Sequence, residues 1–165
     1  MSKCRCFDSK PSGKSLLERL PACTCQCKSG IRLSAEENGR KFILVTDDWE
    51  KVQKVKVDGA LIYEQAMEKC DYFFFYNPNL KEEMREAYFV ELKGKNISKA
   101  INQIITTLQV FFREGIMTHI SLQKAFIVSS RVPQTDRTIE KLKEDMMKKH
   151  KCPVKIKNNI IEHKP

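Results

Sequence analysis

Glu91 and Lys93 stand one residue apart in Tyr88-Phe89-Val90-Glu91-Leu92-Lys93-Gly94, an apolar run of strand composition, and Asp71 heads the upstream run Asp71-Tyr72-Phe73-Phe74-Phe75-Tyr76. Side chains alternate across a strand, so Glu91 and Lys93 leave one face while Val90 and Leu92 leave the other. An acid and an ammonium then share a surface. Every residue after Asp71 in its run is aromatic, which reads as a buried strand with its only charge at the first position. A carboxylate there is costly without a partner. If the two strands run antiparallel, joined through the turn-forming Asn77-Pro78-Asn79, Asp71 and Glu91 lie side by side. Two hard oxygen ligands on adjacent strands suit Mg²⁺, which keeps several waters and takes few protein carboxylates. That pattern is what a metal-dependent phosphodiesterase needs. On a half-exposed strand the same Glu-x-Lys would be only a solvated ion pair.

The elements that must carry these residues follow from periodicity. Lys41–Val45 reads as a strand, and residues 51–62 alternate well enough for another with a bend at Asp58-Gly59. After the two motif strands, Ile97, Ala100, Ile101, Ile104, Ile105, Leu108 and Phe111 recur at helical spacing, with Lys99, Asn102, Gln103 and Thr106 on the other side. Residues 124–130 form a buried strand, which a helical crossover from 88–93 makes parallel. Thr135-Asp136 caps a helix to about His150, and residues 153–157 supply a further strand. The first 30 or so residues, broken at Pro11-Ser12-Gly13 and Pro21, hold at most a short helix through Ser15–Leu20. The expected organisation is a Cys-rich basic arm over residues 1–30 and a single α/β domain over 31–165, its mixed central sheet flanked by helices.

The spacing of Asp71, Glu91 and Lys93 and this order of elements resemble the PD-(D/E)xK, or restriction-endonuclease-like, nucleases over roughly residues 52–157. The resemblance implies that Asp71, Glu91 and the backbone carbonyl of Leu92 bind Mg²⁺ or Mn²⁺, and that Lys93 orients or activates the attacking water. Cys70 replaces the motif proline, which many members lack. Some members carry a glutamine in the following helix, and Gln103 stands there as a further catalytic candidate. The aromatic residue that follows it in the RecB-like subgroup is Thr107 here. An extra upstream acid of the family could be Asp58 or Glu64. The implied activity is hydrolysis of DNA phosphodiester bonds, in defence, repair or recombination, with RNA as the other possible polymer and a homodimer or larger complex compatible with it.

Charge and composition fit that expectation. The formal net charge of +9 is unevenly placed: residues 1–30 contribute +4, residues 137–165 contribute +5, and the intervening stretch balances. A neutral centre with basic ends can lay cations along a polyanion while an acidic site holds a metal. Lys99, Arg131, Lys148, Lys149 and Lys151 are the candidate phosphate contacts. Simple solubility would call for the same lysines. Cys4, Cys6, Cys23, Cys25 and Cys27 cluster before residue 30 and could close a structural Zn²⁺ site, although their one-residue gaps are not the usual two. His119, His150 and His163 are scattered and build no triad. No apolar run approaches a bilayer span and no secretory leader is visible, so a cytoplasmic protein without membrane association is expected. Two other readings use the same residues: a nuclease-like fold that only binds nucleic acid or protein, and a zinc-pinned nucleic-acid-binding protein.

Overall fold

The computed structural model describes residues 15–25, 31–79, 85–131, 134 and 136–165. A six-stranded mixed sheet forms its centre, built from β1 (Thr24–Cys25), β4 (Val52–Lys56), β5 (Tyr72–Tyr76), β6 (Arg85–Lys93), β7 (Ile120–Ser129) and β8 (Val154–Asn158), in that spatial order. The first four run antiparallel to their neighbours, whereas β6, β7 and β8 are parallel. A second sheet of three strands joins β2 (Arg32–Glu37), β3 (Arg40–Val45) and β9 (Ile160–His163).

Alternation on the central strands divides the interior into two layers. Phe73, Phe75, Phe89 and Ile127 project to one side, where they meet helix α2 (Ile97–Arg113) through Ile101, Ile104, Leu108 and Phe111. Helix α3 (Arg137–His150) adds Ile139 and Met146 to that layer. Phe74, Tyr88, Val90, Leu92, Phe126 and Val128 project to the other side, against Leu33, Ala35, Phe42, Leu44 and Ile161 of the small sheet. The expected mixed sheet with helices is present; its second face is covered by strands. None of the described helices is long and apolar enough to cross a membrane.

The short helix α1 (Leu16–Arg19) has a reciprocal capping box between Ser15 and Glu18, satisfying two orphan amides at its start. Leu16 and Cys23 enter the helical-side core, and β1 pairs with β4. Residues 15–25 thus pack on the domain expected to begin at residue 31, with Thr24 and Cys25 as the edge strand of its central sheet. Pro21 does not free the segment because it sits at the beginning of a 3₁₀ turn, where its missing amide costs nothing.

Strands β2 and β3 form a hairpin closed by Asn38 and Gly39, both at positive φ (48° and 75°), as its two-residue turn requires. Residues 57–62 fold into a tight turn in place of a longer strand, with Asp58 and Ile62 making an isolated bridge.

Candidate active site

The register places Tyr72 opposite Val90, which brings the preceding Asp71 beside Glu91. Their contact is reciprocal. The Asp71 amide donates to Glu91 Oε2 at 3.1 Å, and the Leu92 amide donates to Asp71 Oδ2 at 2.7 Å. Each side chain thus occupies a backbone donor freed where the β5–β6 ladder ends. The Asp71 carbonyl, in turn, accepts the amides of Val57 and Asp58 at 3.0 and 3.3 Å. Lys93 Nζ lies 3.8 Å from Glu91 Oε1, with the lysine side chain 30% exposed and the acid 1%.

Burial raises both acids. The Asp71 carboxyl is pushed up to about 6, against the pull of the Leu92 amide, with Glu37 and Asp58 adding like charge and Lys93 opposing. Glu91 is pushed up to about 9, first by burial and then by the charge of Asp71, with Lys93 again opposing. Two like-charged groups held this close resist joint ionisation, and the pair titrates as a unit. Added positive charge between them reverses the penalty.

The two upstream acids now separate. Asp58 raises both Asp71 and Glu91 through its charge, whereas Glu64 accepts a 2.9 Å hydrogen bond from Arg19. Glu37, on the small sheet, was missed from the sequence because its run Arg32-Leu33-Ser34-Ala35-Glu36-Glu37 contains no chemical motif; the Asn38-Gly39 turn signal was the available clue.

Gln103, on α2, makes no hydrogen bond to Asp71 or Glu91 in the structure. Its Nε2 donates to the Lys69 carbonyl at 2.9 Å, and its Oε1 is buried without a partner. With Lys99, Asp58 and Lys69 it lines a cavity of about 440 Å³. Lys69 is itself buried, donating to the Glu64 carbonyl at 2.8 Å and lying 3.5 Å from Asp58.

Lys93 pairs with Ser129 across β6 and β7, so the end of β7 lies at the same end of the sheet as the acids. There the Gly94 carbonyl accepts from Ser129 Oγ, Ser130 Oγ and the Ser130 amide at 2.8 to 3.0 Å, fixing the chain just after Lys93. Arg131 follows, exposed. Lys148, Lys149 and Lys151 belong elsewhere. They close α3 immediately before β8, whose first residue, Val154, pairs with Ala125, and Ala125 pairs with Phe89. Because these strands are parallel, the three lysines lie toward the opposite end of the sheet from Lys93. Lys148 and Lys149 pair with Glu144 and Asp145 one turn back, and Lys151 is the left-handed cap of α3.

Of the cysteine cluster, Cys23 is buried in the core with its thiol raised by burial, and Cys25 is disulfide-bonded. Cys4, Cys6 and Cys27 lie outside the described residues. Among those described, no group of three or more His, Cys, Asp or Glu side chains is arranged to hold a metal. Any ion at the acid pair would therefore rest on two carboxylates, a backbone carbonyl and water. No family model, no curated protein and no solved structure matches the chain.

Proposed function

We propose that the chain is a Mg²⁺-dependent nuclease of the PD-(D/E)xK type, with a restriction-endonuclease-like core, cleaving DNA phosphodiester bonds at Asp71, Glu91 and Lys93. One observation carries the reading: two carboxylates from adjacent strands are buried together, each fixed by a backbone amide next to the other, with a single ammonium beside them. Such a pair is an expensive way to hold a strand end, because both acids are driven toward protonation. It is an inexpensive way to bind a divalent cation.

The donor set fits that ion. Asp71 Oδ1 receives no hydrogen bond among the described residues, and Glu91 Oε1 meets only Lys93. These oxygens are hard donors, as Mg²⁺ and Mn²⁺ prefer, and the ion's remaining positions suit water. Asp71, Glu91 and the Leu92 carbonyl would hold it. When bound, the metal supplies a water of lowered pKa and charge neutralisation at the phosphate. The chain's own contribution is positional. Lys93, held near Glu91 by the strand and followed by the pinned Gly94 carbonyl, presents its ammonium where an attacking oxygen and a phosphate oxygen need a donor. Arg131 lies at the same end of the sheet and suits a phosphate of the same strand.

The test is cleavage of plasmid, linear, branched and single-stranded DNA, and of RNA, with Mg²⁺ or Mn²⁺, comparing the native chain with Lys93→Ala. Cutting by the native chain should fall at least about 100-fold in the variant while circular dichroism and substrate affinity hold. Absence of cutting by either protein removes the proposal in favour of a binding module.

A further inference from the structure

Two side chains of α2, one turn apart, hold both polar groups of a single peptide unit. Gln103 Nε2 donates to the carbonyl of Lys69 at 2.9 Å, and Thr107 Oγ1 accepts the amide of Cys70 at 2.8 Å. That carbonyl and that amide belong to the Lys69–Cys70 peptide, the unit before the one that joins Cys70 to Asp71. The Thr107 hydroxyl donates its own hydrogen to the Gln103 carbonyl at 2.8 Å, so its donor and one of its acceptor positions are both engaged. Thr107 is fully buried, on the apolar side of a helix where a β-branched alcohol has no packing advantage over valine.

We infer that Thr107 and Gln103 are positioning residues that clamp the Lys69–Cys70 peptide plane and so aim the Asp71 carboxylate at the Glu91 side of the site. The inference, as far as it concerns turnover, rests on the nuclease reading. Cys70 closes the clamped plane, so its φ and ψ are the first freedom between that plane and the Cys70–Asp71 peptide. Beyond that, the Asp71 carbonyl is held by Val57 and Asp58, and its amide by Glu91. The helix thus supplies the hold on one side of Asp71, and the sheet and the 57–62 turn supply the other. Neither α2 side chain makes a hydrogen bond to Asp71 or Glu91 in the structure, and both act through the chain.

Thr107→Val removes the hydroxyl at nearly constant shape, Thr107→Ser restores it, and Gln103→Met releases the other end of the same peptide. The first readout needs no activity: amide hydrogen exchange in the metal-free protein at Leu92, whose N–H the Asp71 carboxylate accepts at 2.7 Å. Loosening the clamp releases the Asp71 carboxylate from that amide, so its exchange should quicken by about tenfold in Thr107→Val and Gln103→Met and return in Thr107→Ser. The second is kinetic: kcat should drop by about tenfold or more in Thr107→Val and Gln103→Met with KM little changed, and recover in Thr107→Ser. Native exchange at Leu92 with native kcat in Thr107→Val overturns the inference, as does an equal loss in Thr107→Val and Thr107→Ser. If Thr107→Val does not fold, Gln103→Met decides by the same two readouts. If the native chain cuts nothing, the nuclease reading fails while hydrogen exchange at Leu92 still judges the clamp.

Discussion

Glu91 is the residue whose ionisation should be most visible in stability. Its folded pKa of about 9 lies above the unfolded carboxyl value, so between roughly pH 4 and 9 the folded state binds the extra proton. Stability is then greatest at the acidic end and declines as pH rises through the folded value. Asp71 does the same between roughly pH 4 and 6. His163 runs the other way: it is pushed down to about 4 by burial and by Lys124 and Lys155, so its contribution is lost as pH falls from roughly 6.5 toward 4. The interval from pH 7 to 8 isolates Glu91, below the range in which the thiols of Cys23, Cys70 and Cys152, all raised by burial, ionise on unfolding. There the metal-free protein should lose up to about 1.4 kcal/mol per pH unit in denaturant titrations, and Glu91→Gln should flatten the slope. Saturating Mn²⁺ should flatten it too. A slope that survives in Glu91→Gln would mean that Glu91 is already ionised in the folded protein.

Among elements, the ones with a strong period were legible before any coordinates. β5, β6, α2 and β7 carry the acids, the lysine and Gln103, and their apolar spacing is dense because both faces of the sheet are covered. The side-by-side acids followed from that alternation and the antiparallel turn. Three strands were not legible. β1 is two residues long; β2 buries only Leu33 and Ala35 among charged neighbours; β9 is Ile160-Ile161-Glu162-His163, separated from β8 by the single residue Asn159, at φ 59°. Short strands with one small buried face leave too little pattern, and their pairing is decided by the sheet they complete. The hold of α2 on the Lys69–Cys70 peptide was equally invisible, since Thr107 reads as one more residue of a helix interior. The β2–β3 turn offers a local test. Gly39 at φ 75° has open space where a Cβ would stand, so Gly39→Ala should cost about 1 kcal/mol from backbone strain alone. Thermal or urea unfolding measures it, and a loss above about 3 kcal/mol would show that the small sheet depends on more than the turn.

For the whole molecule, charge is arranged by the ends of the central sheet. Arg131 and Lys93 stand at the end with the acids, whereas Lys148, Lys149 and Lys151 crowd toward the other. If nucleic acid lies across the acid end, Arg131→Gln should lower affinity and reduce the salt slope of binding by about one, while replacing all three α3 lysines with glutamine should do less. Fluorescence anisotropy over a salt series distinguishes the two, and the reverse ranking would put the polymer at the far end. The small sheet has a consequence of a different kind, one of time. β9 adds to β3 across roughly 120 residues of chain, among the most distant pairings a fold of this size can hold. On a ribosome adding about 5–20 residues per second, the β2–β3 hairpin waits on the order of ten seconds for its third strand. For most of that wait Phe42 and Leu44 have neither Phe126 nor Ile161 to cover them, and to its end the edge of β3 stands open. A newly made chain is therefore most vulnerable to association, and most in need of a holding chaperone, at its earliest hairpin.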